Sequence, residues 1–289
     1  MKKEIKAINR IVLLSLVGYI LSSSFSMIPA FINIDPVIKG SFVYIGLMLI
    51  PGTYYLFNKK EIIPKIEKPT KGSLVEGVKL GFIVIPFMII ASAIAQYFKI
   101  TSTVDMDLAY DVIKGYPIVL MGIIIVILPA LCEEFVFRQI LFKGYVKQGV
   151  NTLLAAVVSA GMFGLFHMNF VQIPYAIVAG IIFAYGIKKT DNLWTSIIAH
   201  AIVNGTTLIS LYVPEKVASV IGVIAVLAGG IFFVLFVREQ SKEKEADVKN
   251  FIMIDKTSDY KIFSFSLIFT ISMLIAMTIL VEQLTPLLG

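Results

Sequence analysis

The chain has 289 residues, of which 58% are hydrophobic and only 15% are charged, and its formal net charge is +6. A soluble globular domain carries about 25% charged residues, so this composition excludes a water-soluble protein and predicts one that crosses a bilayer several times. The positive charge needs no nucleic-acid partner, because cationic loops beside anionic membrane lipids account for it.

Apolar runs of about 20 residues, the length of a membrane-spanning helix, recur along the whole chain. They predict an all-α, polytopic bundle that forms a single integral membrane domain over residues 1–289. The fifth and sixth runs are short and are predicted to be joined by a tight turn around residues 172–174, so we expect eight to nine membrane helices. The predicted spans are 11–31, 37–57, 77–98, 117–141, 152–169, 171–187, 193–213, 217–237 and 262–282.

The distribution of lysine and arginine predicts the orientation of this bundle. All but four of the 25 cationic residues lie in the N-terminal segment and in alternate loops. Cytoplasmic loops are enriched in Lys and Arg, so a multi-pass protein of the cell membrane with a cytoplasmic N-terminus is predicted. The four cationic residues on the opposite side are Lys39, Lys99, Lys114 and Lys216.

The predicted fourth span contains two adjacent glutamates, Glu133 and Glu134, followed by Arg138. A carboxylate near the middle of a membrane helix costs about 2.5–3.5 kcal/mol, so a functional site facing a polar interior is the default interpretation. Glu134 and Arg138 stand four residues apart, which is the spacing of an ion pair on a helix. Glu133 is then left as the carboxylate without an obvious partner, and it is the candidate general base. The structural alternative is a buried salt bridge that locks helix packing.

The only two histidines of the chain also lie in apolar segments, each with a potential partner four residues away. His167 follows Phe163 in the fifth span, so the two rings share one helical face. His200 precedes Asn204 in the seventh span, so the imidazole and the carboxamide point the same way. Taken alone, each histidine is as well explained by packing, and Asn204 by a hydrogen bond to a neighbouring helix.

Taken together, the three motifs predict one site built on three core helices. They supply a carboxylate base, donors for a developing oxyanion, and potential metal ligands, which suits hydrolysis of an amide by activated water. One difficulty is depth. Counted from the cytoplasmic ends of the spans, Glu133 and His200 lie about 10–14 Å deep, whereas His167 lies about 20 Å deep if its helix starts at Asn151.

The ordered motifs Glu-Glu-x-x-x-Arg, Phe-x-x-x-His and His-x-x-x-Asn resemble those of the CPBP family. This is the CAAX protease and bacteriocin-processing group, which includes the type II CAAX prenyl endopeptidases. The resemblance covers a core region of residues 117–213. It implies an intramembrane endopeptidase with a cavity open to the cytoplasm, acting on a membrane-associated peptide or a lipidated protein. The alternatives are a non-catalytic scaffold or bacteriocin self-immunity protein on the same fold, and, more distantly, a transporter with a proton relay.

The resemblance also implies a glutamate-type mechanism, in which Glu133 and His167 activate a water and His200 with Asn204 stabilises the oxyanion. This mechanism needs no metal, and the chain lacks the His-Glu-x-x-His helix of zinc peptidases. No cofactor is therefore predicted, and zinc held by glutamate and histidine is the alternative. The implied catalytic residues are Glu133, His167, His200 and Asn204, and the implied positioning residues are Glu134, Arg138 and Phe163.

Overall fold

The structure, a computed structural model, describes residues 2–26, 35–57, 62–100, 111–242 and 265–288. Within these ranges the chain is helical and contains no strand. The helices are α1 Lys2–Ser26, α2 Pro36–Ser41, α3 Val43–Phe57, α4 Lys71–Tyr97, α5 Ile118–Lys147, α6 Thr152–Phe166, α7 Gln172–Thr190, α8 Trp194–Tyr212, α9 Glu215–Lys242 and α10 Phe265–Leu288.

The predicted all-helical polytopic membrane architecture is confirmed, although the number of spans is not. Six helical segments are long and apolar enough to cross a membrane. Helix α6 is apolar but shorter, so the expected eight to nine spans stay a prediction. Residues 27–31 of the first predicted span and 262–264 of the last lie outside the described residues. The six segments are Lys3–Ser23, Val37–Phe57, Lys71–Tyr97, Ile118–Lys147, Trp194–Tyr212 and Glu215–Glu239.

The turn between α6 and α7 lies earlier in the chain than predicted. Residues 172–174 form the first turn of α7, and the connection occupies residues 167–171. The side-chain oxygen of Asn169 accepts hydrogen bonds from the backbone N–H groups of Val171 and Gln172, at 2.9 and 3.3 Å, and so holds the turn that leads into α7. Pro174, which was expected in the turn, is tolerated in α7 because the first backbone N–H groups of a helix have no partner within it.

Helices α6 and α7 pack closely because small residues lie between them. A Cβ atom added at Gly180 would lie 2.7 Å from Cβ of Ala160, and one added at Gly164 would lie 2.5 Å from Cγ1 of Ile177. Side chains larger than hydrogen at these two positions would push the helices apart. This close packing brings α7 up to the two helices that carry the first and second motifs.

Helix α5 contains two π-helical stretches, Gly122–Ile127 and Phe135–Phe142, on either side of the glutamate pair. In the first stretch, the carbonyl of Ile125 accepts a hydrogen bond from Nδ2 of Asn204 in α8, at 3.0 Å. The residue four positions after Ile125 is Pro129, which has no N–H to donate to that carbonyl. The sequence of α5 thus leaves a backbone acceptor that a side chain of another helix satisfies.

The second π-helical stretch is held in the same way by α6. Oγ of Ser159 donates to the carbonyl of Phe137 at 2.6 Å, and Ser159 is fully buried. Such stretches are rare and occur frequently at functional sites. Here they tie α5 to α6 and α8, so the helix that carries the glutamates is fixed against both helices that carry the histidines.

Helix α5 also continues to Lys147, beyond its predicted end at residue 141. Glu133 therefore lies about 21 Å from this end, at 1.5 Å per residue. By the same measure His167 lies about 22 Å from the start of α6, so the expected difference in depth disappears. Lys143, near the end of α5, forms an ion pair at 2.8 Å with Asp191, just before α8. Helix α8 thus begins deeper in the bundle than α5 ends.

Candidate active site

The three helices that carry the motifs meet at a cavity of about 540 Å³. Its lining includes all four residues predicted to be catalytic, together with Phe163. Glu134 and Arg138 lie outside the lining and are fully buried. The structure therefore places the seven predicted residues in one region, with two of them behind the wall of the cavity. The predicted catalytic residues in the lining are Glu133, His167, His200 and Asn204.

Glu134 connects the first motif to the third. Its Oε2 lies 3.1 Å from Nε of Arg138, so the ion pair predicted from the four-residue spacing is present. Its Oε1 lies 2.8 Å from Nδ1 of His200, a contact between helices that spacing could not reveal. An ionised carboxylate only accepts hydrogen bonds, so Nδ1 of His200 is the donor. The other ring nitrogen, Nε2, then carries a proton only when the ring is cationic.

Arg138 is enclosed by two aromatic rings. Its Cζ atom lies 4.1 Å from the ring centroid of Phe163 and 5.6 Å from that of Phe183, distances at which a guanidinium is attracted to a ring face. None of its side-chain nitrogens forms a hydrogen bond to the described residues. The two rings and the ion pair with Glu134 are therefore the interactions that offset burial of this charge.

Phe163 contacts both histidines as well as Arg138. Its ring centroid lies 4.8 Å from that of His167 and 5.7 Å from that of His200, and both contacts are edge-to-face. The predicted shared face of Phe163 and His167 is thus confirmed. One phenyl ring fixes the positions of two imidazoles and a guanidinium from three different helices.

Glu133 and His167 present hydrogen-bond acceptors to the cavity. Glu133 is only 6% exposed, and its Oε2 has no hydrogen-bond partner among the described residues. Nδ1 of His167 lies 2.8 Å from the carbonyl of Phe163, and because a carbonyl only accepts, Nδ1 must carry the proton. Nε2 of the neutral ring is then an acceptor. Two acceptors that line one cavity are what binding and deprotonating a water requires.

Asn204 has two N–H bonds on one nitrogen, and they serve different purposes. One of them donates to the carbonyl of Ile125, at 3.0 Å. The second N–H remains available to the cavity, which Asn204 lines beside His200. The same carboxamide can therefore hold α5 in place and donate to a group bound in the cavity.

The rest of the lining was not found from the sequence. Tyr19 of α1 and Tyr44 of α3 both line the cavity, and both interact electrostatically with Glu133. Tyr19 also packs edge-to-face on Phe166, with ring centroids 4.6 Å apart. The only signal available was a tyrosine hydroxyl inside an apolar span, since neither residue belongs to a motif. Both hydroxyls add polar groups to the wall of the cavity near the glutamate.

Zinc held by Glu133, His167 and His200 is the alternative that the sequence leaves open. Nδ1 of each histidine is engaged, by Phe163 and by Glu134 respectively, so Nε2 is the ring nitrogen left to bind a water or a metal ion. Across the part of the chain that the structure describes, no three His, Cys, Asp or Glu side chains are placed to hold a metal ion.

In a comparison with known proteins, residues 115–206 match the family described as type II CAAX prenyl endopeptidase Rce1-like. Over 106 residues the chain is 30% identical to YdiL of Bacillus subtilis (strain 168), a protein to which a membrane peptidase function is attributed. This match covers 37% of the chain and 42% of YdiL. Over 186 residues it is 26% identical to the membrane-embedded CAAX protease MroQ of Staphylococcus aureus (strain USA300), covering 58% of the chain and 72% of MroQ.

The chain thus matches less than half the length of YdiL. No solved structure matches it. The resemblance to CAAX proteases is confirmed, and the family match at residues 115–206 contains all three motifs.

Proposed function

We propose that this protein is an intramembrane endopeptidase of the CAAX protease type, acting on a membrane-associated or lipidated peptide or protein. The observation that carries the proposal is a single cavity lined by the unpartnered carboxylate of Glu133, by His167, and by potential donors on His200 and Asn204. The family match supports it, because it includes all four residues. We place the catalytic core at residues 117–213 of one membrane domain, whose N-terminus lies in the cytoplasm of the cell.

In the proposed reaction, a water bound by Glu133 and by Nε2 of His167 gives a proton to Glu133 while its oxygen attacks the scissile carbonyl carbon. The carbonyl oxygen becomes an oxyanion, which accepts hydrogen bonds from Nε2–H of cationic His200 and from the second N–H of Asn204. The intermediate then collapses, the C–N bond breaks, and the proton held by Glu133 passes to the leaving nitrogen. No metal or cofactor takes part in these steps.

The proposal is tested by purifying the protein, reconstituting it in liposomes and supplying two internally quenched peptides of one sequence, with and without a farnesylated C-terminal CAAX cysteine. Wild-type protein is expected to cleave at least one of them. Glu133→Gln keeps the shape and removes the base, so the rate should fall by about 10²–10⁴-fold while the protein still folds. The matched control is Glu76→Gln. Glu76 is also buried, but it lies outside the cavity and accepts a hydrogen bond from Lys189 at 3.0 Å.

Full activity of Glu133→Gln would refute the mechanism. Failure of folded wild-type protein to cut either peptide, or any protein of a detergent-solubilised membrane extract, would favour the non-catalytic scaffold. The pair of peptides also decides whether the prenyl group is recognised.

A further inference from the structure

The cavity lies toward one end of the bundle. It extends no further toward the cation-rich loops than Glu133, Phe183 and His200, which lie a third to a half of the way along their helices from those loops. The other lining residues belong to the halves of their helices that are remote from those loops. Gly40 of α2 and Gln172 at the start of α7 lie at this remote end, Gly40 exposed and Gln172 half-buried. Among the described residues, the mouth of the cavity therefore lies on the side opposite the cation-rich loops.

On the cation-rich side of the site, the bundle is closed by packed side chains. Residues 132–145 of α5 are all buried, including Arg138 and Gln139, which are 0% exposed. Lys143, which pairs with Asp191, is only 7% exposed. A substrate could not reach Glu133 from this side without displacing the core of α5.

An extended segment, residues 62–70, adds a second layer across this side. It is held by side chains from four parts of the chain, each bonded to its backbone. Gln139 donates to the carbonyl of Pro64, Gln148 to that of Ile62 at 3.3 Å, and Asn192 to that of Lys68 at 2.8 Å, while Tyr55 accepts from the N–H of Ile66 at 2.7 Å.

We infer that the cavity opens to the extracytoplasmic side of the membrane and takes its substrate from there. The inference rests on the proposed peptidase function and on the orientation in which the loops holding all but four of the 25 cationic residues are cytoplasmic. The resemblance implied a cavity open to the cytoplasm. In this bundle that expectation and the orientation conflict, because the mouth and the cation-rich loops lie at opposite ends.

The lining also defines the class of substrate. Among the described residues that line it, only Glu133, the two histidines and tyrosines are ionisable. Because a charged side chain away from Glu133 and the histidines would be desolvated without a partner, the expected occupant is an uncharged segment. The source of that segment is an exported peptide or the external part of a membrane-anchored protein.

The direction of opening is tested by labelling single cysteines in intact cells with a membrane-impermeant maleimide. The only cysteine, Cys132, is buried, so Cys132→Ala provides a cysteine-free background. Gly40→Cys and Gln172→Cys place a thiol at the mouth, and Lys188→Cys places one at the exposed cation-rich end of α7. The two mouth variants should be labelled in intact cells and Lys188→Cys only after permeabilisation. The reverse pattern, or equal labelling of all three, would overturn the inference.

This measurement needs no catalysis, so it can fail independently of the proposed peptidase function. A second arm supplies an uncharged quenched peptide to right-side-out and to inside-out vesicles. Cleavage by right-side-out vesicles, blocked after the maleimide modifies Gly40→Cys, is expected. Cleavage by inside-out vesicles alone would overturn the route of entry but leave the peptidase function intact. External labelling without cleavage by either preparation would refute the peptidase function and leave the opening as inferred.

Discussion

Asn204 is expected to act both on the structure of α5 and on the reaction, and the two effects can be separated. Asn204→Ala removes the 3.0 Å hydrogen bond to the carbonyl of Ile125 and leaves that acceptor without its side-chain partner. A loss of this kind costs about 1–3 kcal/mol of stability. Ser159→Ala is a matched control, because it removes the equivalent bond to Phe137 in the second π-helical stretch. The free energy of unfolding should therefore fall by a similar amount in both variants.

Catalysis should distinguish the two variants, because Asn204 lines the cavity and Ser159 does not. Removing one oxyanion donor lowers turnover by about 10²–10³-fold. We expect kcat of Asn204→Ala to fall by this factor with little change in KM, and kcat of Ser159→Ala to stay within about tenfold of wild type. Asn204→Asp should be less active than Asn204→Ala, since a carboxylate offers no N–H and repels the developing negative charge.

The measurements are thermal unfolding of the detergent-purified variants and steady-state cleavage of the quenched peptide. If Ser159→Ala loses as much kcat as Asn204→Ala, the carboxamide acts only through the shape of α5. If Asn204→Asp is more active than Asn204→Ala, the residue is an acceptor or a metal ligand, and its oxyanion role is wrong.

Glu134→Ala leaves the buried guanidinium of Arg138 without its partner and should lower the free energy of unfolding by about 3–5 kcal/mol. In the double variant with Arg138→Ala, the free energy of unfolding should fall by less than the sum of the two single decreases. Additive decreases would show that the pair is not coupled. Treatment with a strong chelator should leave activity intact and elemental analysis should find no stoichiometric zinc, whereas loss of activity restored by zinc would assign ligand roles to the histidines. Tyr116 donates a 2.8 Å hydrogen bond to Asp35, and this bond, ahead of the backbone N–H of Val37, lowers the pKa of that carboxyl. A lowered pKa adds stability above the unfolded value of about 3.9, and this stability is lost as the pH falls through the folded value. Tyr116→Phe should therefore lower Tm at pH 7, and its Tm difference from wild type should narrow once the pH is below both values, because a protonated carboxyl accepts a weaker hydrogen bond. A difference that does not narrow would refute the role of Asp35.

Properties that depend on local helix geometry could be predicted from the sequence. The length of the apolar runs predicted where the helices lie. The four-residue spacing predicted both the Glu134–Arg138 ion pair and the contact between Phe163 and His167. These pairs lie within one turn of a single helix, so no knowledge of tertiary structure is required.

Contacts between helices and the true ends of helices could not be predicted in the same way. The end of α5 was placed too early because Lys143 looks like a loop residue, whereas it is buried and paired with Asp191. The bond from His200 to Glu134 joins distant parts of the chain, and no local pattern indicates it. The bond from Asn204 to Ile125 was accessible in principle, since a proline four residues after a carbonyl marks an unsatisfied acceptor.

The charges around the cavity also suggest a reason why the buried ion pair lies beside the proposed catalytic groups. Glu133 interacts electrostatically with His200, Glu134 and Arg138. In the proposed reaction, the carboxylates of the two glutamates balance the positive charges of Arg138 and His200, so no charge of the cluster is buried without an opposite charge nearby. When the attacking water protonates Glu133, the cluster gains one positive charge as the substrate gains one negative charge. We therefore propose that the buried Arg138 and the Glu134–His200 contact keep the site neutral before the reaction and complementary to the oxyanion during it.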